Sequence, residues 1–153
     1  LFNQPSNATI TPILIITMSK NVDFDRYLEF VDGVTSLESR KTGAFIDRNK
    51  ALKLRGKDLC RLLTAAIGIT AEGGEFAEIA KKIAFQGKEW TADEEYHMKR
   101  ELGDILWYVA QACISLGVSF DELIEMNVEK LEKRYPGGSF DVHYSENRED
   151  GDI

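Results

Sequence analysis

Apolar residues recur at intervals of three and four along most of this chain, and a few well-marked stops break the recurrence. Phe24, Tyr27, Leu28, Val31 and Val34 trace one face of a first helix, expected from about Phe24 to Leu37, with Asn21 or Asp23 able to cap it. Ser39 to Gly56 is mixed and basic, carrying Arg40, Lys41, Arg48, Lys50, Lys53 and Arg55, and reads as a loop with room for a short helix. As a solvated connector it needs no function; a functional reading makes it a lid near a polyphosphate. A long second helix is expected from about Lys57 to Phe85, ended by Gln86-Gly87-Lys88. Thr91-Ala92-Asp93-Glu94 is a capping box, so a third helix starts near Ala92 and runs to Leu116, where Gly117 stops it. Ser119-Phe120-Asp121-Glu122 opens a fourth, which ends near Arg134 before Tyr135-Pro136-Gly137-Gly138. The polar, acidic tail from Ser139 reads as irregular. No stretch shows strand-like alternation, so the expected architecture is an all-α bundle of four to five helices.

Helical phase then singles out two acidic pairs. Glu72 and Glu75, and Glu101 and Asp104, are each spaced so that both carboxylates lie on one side of a helix. Glu72 shares a sector with Ala65, Phe76, Ile79 and Ile83, which should be the buried face, and a carboxylate there needs a partner. The second pair heads a stretch from Ile105 to Gly117 without a single charge. Such a helix is central or lies in a subunit interface. Four carboxylates aimed into a helical core repel one another unless a divalent cation sits between them, and hard cations such as Mg²⁺ take oxygen ligands. Gly73 and Gly74 each cost about 1 kcal/mol relative to Ala inside a helix, so another backbone or a ligand is expected to come close there. On the fourth helix Asn127, Lys130 and Arg134 share a face with Phe120, Leu123 and Leu131. Lys130 suits a phosphate as a point charge and Arg134 as a fork, although cations near a helix C-terminus also complement its dipole.

Composition narrows the function. The chain has 153 residues, 43% of them hydrophobic and 29% charged, which suits one domain with a real core. A formal net charge of −7 argues against binding polymeric nucleic acid but leaves a mononucleotide open, because bound cations reverse the sign locally. Ile10 to Met18 is apolar but too short to span a bilayer, so no membrane partner is expected. Met18-Ser19-Lys20 resembles a start, and residues 1–20 read as an N-terminal extension, 21–136 as the helical domain and 137–153 as a tail. Cys60 and Cys113 read as reduced core thiols, and Trp90 and Trp107 as core or interface residues. Glu78 reads as a rim residue or else an outer ligand, and His97 as exposed or supporting a ligand. A di-iron centre needs Glu-x-x-His on two helices, and only Glu94-x-x-His97 is present.

Three blocks in order carry a resemblance. Glu72-Gly73-Gly74-Glu75, then Glu101-Leu102-Gly103-Asp104, then Asn127 through Lys130 to Arg134-Tyr135-Pro136 resemble the E-x-x-E, E-x-x-D and N-x-x-K-x-x-x-R-Y-P motifs of the MazG-like, all-α nucleoside triphosphate pyrophosphohydrolases. The resemblance covers about Phe24 to Arg148 and suggests the short, single-domain, phage or mobile-element type. It implies a Mg²⁺-dependent enzyme, with Mn²⁺ as a substitute, that cuts a (deoxy)nucleoside triphosphate between its α and β phosphates. It implies Glu72, Glu75, Glu101 and Asp104 as metal ligands, with Glu75 as the carboxylate orienting the attacking water. Lys130, Arg134 and, from the tail folded over the site, Arg148 would meet the phosphates, and Asn127 would line the substrate wall. It further implies a homo-oligomer, dimer or dimer of dimers, in the cytoplasm (the host's, if phage-encoded). An all-α dUTPase, a phosphoribosyl-ATP pyrophosphohydrolase, a nucleotide-binding helical dimer without turnover and a plain helical interaction module stand as alternatives.

Overall fold

In the computed structural model, residues 23–147 are described, and all their regular structure is helical. The expected N-terminal extension and Arg148 lie outside these residues. Seven helices follow one another: α1 (Phe24–Val34), α2 (Leu37–Arg40), α3 (Thr42–Leu54), α4 (Leu59–Phe85), α5 (Ala92–Leu116), α6 (Phe120–Arg134) and α7 (Val142–Glu146).

The all-α expectation holds, and the count exceeds four to five for local reasons. The first helix stops at Val34, because Ser36 caps a new one: its side chain accepts from the Ser39 N–H. An Asp32–Arg40 ion pair of 2.8 Å spans the break. The segment read as a loop holds α2 and α3. α3 escapes a pattern search because Phe45, Ile46, Leu52 and Leu54 do not gather on one face, and Lys41 gives its start no side-chain cap. In the tail, Asp141 caps the short α7 through the His143 N–H.

The helices with side-chain caps in the sequence fall where they should. Asp58 caps α4 through Arg61, Thr91 caps α5 through Glu94, and Ser119 caps α6 through Glu122. Gly117 closes α5 in the left-handed region, φ 73°, with its N–H on the Cys113 carbonyl.

Packing concentrates on one pair. α4 and α5 run antiparallel along most of their length, while α3 leans on α4 and α2 on α3. The buried positions of the pair are small or slender: Ala65, Gly68, Met98 and Cys113. Small residues let two helix axes approach closely, and Gly68 is the clearest case. A Cβ built there would lie 2.2 Å from the Tyr108 ring, so the ring occupies the space a side chain would need. Tyr108 in turn meets Trp107 edge to face at 4.8 Å. Cys60, expected in the core, is exposed, and its thiol accepts a hydrogen bond from Asn49 of α3. Trp90 is exposed as well, at the turn before α5.

The outer faces tell a different story. Ile67, Leu106, Trp107 and Ile114 are 68%, 58%, 54% and 63% exposed, and no large apolar side chain among the described residues is fully buried. α6 leaves α5 at 96° and packs closely on no other helix. Among the described residues no single helix is long and apolar enough to cross a membrane.

Candidate metal centre

Both ends of the α4–α5 pair are tied. At one end the six-residue turn carries a Lys88–Glu94 ion pair of 2.7 Å. At the other, Arg61 donates to the Gln111 side chain at 2.7 Å, and the Ser115 hydroxyl donates to the Asp58 carbonyl at 2.8 Å. The two contacts set how far α5 slides along α4.

In that register three carboxylates converge. Glu72 on α4 and Glu101 and Asp104 on α5 offer oxygens that all lie within 4.8 Å of one another. Glu72 and Glu101 are half-buried and Asp104 is exposed. Burial, most of all, lifts the Glu72 carboxyl above its ordinary value. A hydrogen bond with Glu101 adds to this, as do the negative charges of Glu75, Asp104 and Glu101. The cluster is therefore short of positive charge, which is the condition of a cation site. The expected inward sector of α4 is also met in part: Ala65 is buried, and Phe76, Ile79 and Ile83 are half-buried.

Glu75 stands one turn along α4 and is exposed. It lines an open groove beside the cluster together with Gly74, Glu78 and Ile79 of α4 and His97 and Glu101 of α5. Glu78 is spoken for: Lys81 bonds it closely and Lys82 lies 3.4 Å away, and the two hold its carboxyl below the usual range. This agrees with a rim position.

One expectation needs correction in its backbone half. Within 4 Å of a Cβ built at Gly73 or Gly74 there is nothing, so in one chain no backbone comes close there; the close approach belongs to Gly68. Gly74 instead lines the groove. His97 is exposed, as expected, and lines the groove together with Lys82, which the sequence reading left out. Helical phase could have found them, since Lys82 is seven residues beyond Glu75 and His97 four before Glu101.

The cationic half is placed elsewhere. Asn127 and Lys130 are exposed on α6 and Arg134 is half-buried there. None of the three is among the residues that line the groove.

Comparison with known proteins comes to the same stretch of chain. The profile of the MazG nucleotide pyrophosphohydrolase domain matches residues 62–139, about half of the chain. That span holds both acidic pairs and all of α6, and leaves out α1 to α3. Among curated proteins, Gene 37 protein of Mycobacterium phage L5 is 35% identical over 74 residues. The match covers 47% of this chain and 64% of that protein, so the chain spans just under two thirds of its relative. No solved structure matches.

Proposed function

Because the chain belongs to the MazG nucleotide pyrophosphohydrolase family, we propose that it hydrolyses a nucleoside or deoxynucleoside triphosphate between the α and β phosphates. The products are a nucleoside monophosphate and pyrophosphate, and the role is control of a nucleotide pool. The observation that carries this reading is the convergence of Glu72, Glu101 and Asp104 from two facing helices.

The donor set fits the cofactor. Three carboxylates, without a thiolate or imidazole among them, suit a hard cation such as Mg²⁺, or Mn²⁺ in its place. The raised Glu72 carboxyl fits too: burial lifts it most, and a cation would offset both that and the neighbouring negative charges that add to it. When bound, magnesium supplies positive charge to phosphate oxygens and makes a coordinated water more acidic. Glu72, Glu101 and Asp104 would hold it, with Glu75 completing the set. Glu75, exposed at the groove, also orients the attacking water and accepts its proton. Lys130 and Arg134 offset charge on the departing pyrophosphate from the opposite wall, joined by Arg148 of the tail, and Asn127 lines the substrate there.

This arrangement requires α6 to lie over an α4–α5 pair, and a homo-oligomer supplies that contact. Leu106, Trp107 and Ile114 leave α5 with an apolar outer face that a second copy would cover. The substrates are cytoplasmic metabolites, and the enzyme is placed with them.

Pyrophosphate release from the eight common NTPs and dNTPs and from dUTP, with and without Mg²⁺, tests the proposal. Mg²⁺-dependent release from at least one substrate is expected, and release from dUTP alone would make the protein a dUTPase. Stabilisation by nucleotide without any release would reassign it as a nucleotide-binding dimer.

A further inference from the structure

The groove does not end at the carboxylates. It continues past Glu75 and Glu101 towards the turn between α4 and α5, where Lys82 of α4 and His97 of α5 line it. Resting on the pyrophosphohydrolase reading, we propose that Lys82, with His97 opposite, binds the terminal phosphates of the substrate. The triphosphate then lies along the groove and points at the α4–α5 turn.

Placement supports this first. Glu75, Glu78 and Lys82 follow one another up a single stripe of α4, and seven residues of helix separate Glu75 from Lys82 by about 10 Å. A phosphate held at the metal cluster therefore leaves the rest of its chain facing Lys82. Charge supports it next. Phosphate cannot settle among Glu75, Glu78 and Glu101 without a cation; Lys82 is the lysine within the groove, and His97 adds a ring N–H. Availability supports it last. Glu78 is served by two lysines, of which Lys81 is the closer and Lys82, at 3.4 Å, the looser. Lys82 can turn to a phosphate while Lys81 keeps Glu78 neutralised. This site is separate from the cations on α6, and it orients the substrate: the nucleoside lies on the far side of the cluster, away from the turn.

Inorganic pyrophosphate with Mg²⁺ is the probe, read by thermal shift and by product inhibition, on the wild type, Lys82→Gln, His97→Ala and Lys81→Gln. Loss of a charge-assisted contact predicts that Lys82→Gln weakens pyrophosphate binding about tenfold or more. It should raise KM for the triphosphate while leaving nucleoside monophosphate affinity and the thermal response to Mg²⁺ alone unchanged. His97→Ala should act in the same direction and more weakly. Lys81→Gln, which removes one of the two lysines on Glu78 but no cation lining the groove, should weaken pyrophosphate binding clearly less than Lys82→Gln. Equal weakening of monophosphate and pyrophosphate, or equal effects of Lys81→Gln and Lys82→Gln, would overturn the assignment. Mg²⁺-dependent turnover with unaltered pyrophosphate binding in Lys82→Gln would remove Lys82 and leave the reaction standing. If the wild type releases no pyrophosphate but Lys82→Gln still loses pyrophosphate binding, the reaction falls and the anion site remains.

Discussion

The α4–α5 pair and α6 are both long, capped helices, yet they differ in what they touch. The pair packs along most of its length and brings Glu72, Glu101 and Asp104 together without help. α6 is as well specified at its start, by Ser119 and Glu122, but turns off at 96° and finds little to pack on. Local sequence therefore suffices to make a helix, while its placement depends on which surface buries its apolar residues. For the pair that surface lies in the same chain. For α6 the chemistry proposed above requires it to come from another copy.

Substitutions at the pair should have the largest effect. Glu101→Gln or Asp104→Asn should keep the helical circular dichroism and lose at least ~10²-fold in kcat, as removal of a strong electrostatic group does. Near-wild-type turnover in either would end the metal assignment. Next comes a mixing experiment across the two regions. Lys130→Ala and Glu101→Gln should each be poorly active alone. Subunit exchange between them should restore activity, because one copy supplies an intact α6 and the other an intact pair. No restoration in a verified mixed oligomer would show that α6 serves its own chain.

Two glycine changes sharpen the contrast between packed and open faces. Gly68→Ala drives a methyl into the Tyr108 ring and should cost about 1–3 kcal/mol in denaturant unfolding. Gly73→Ala meets open space and should instead stabilise by about 0.5–1 kcal/mol. The smallest effect concerns pH. The Glu72 carboxyl is raised in the fold, so the folded state holds its proton more tightly than the unfolded chain. Its contribution to stability is fully present below the ordinary carboxylate range and is lost as pH rises through the folded value. Without metal, Glu72→Gln should therefore raise Tm at neutral pH, lose that part of the pH slope in thermal melts, and lessen the response to Mg²⁺.

What the sequence made legible follows the same division. Capping boxes mark the starts of α5 and α6 to the residue, and helical phase places Glu72, Glu101 and Asp104 on facing sides. α3 stays hidden because its apolar residues surround the helix, and Ser36 is easily passed over as part of a continuing α1. The Gly73-Gly74 doublet draws attention from Gly68, whose importance comes from a ring forty residues away. Phase says which side of α6 carries Asn127, Lys130 and Arg134, but phase is silent on which chain that side faces.

The contacts among Asp58, Arg61, Gln111 and Ser115 carry a consequence for how this protein tolerates change. They lock the sliding of α5 at a point fourteen residues of helix, about 21 Å, from Glu72. The turn at the opposite end is thereby relieved of that duty. Its length and wording can drift through insertion or loss while the three oxygens stay in step, as a zipper fastened at its base keeps its teeth matched however the pull-tab is shaped.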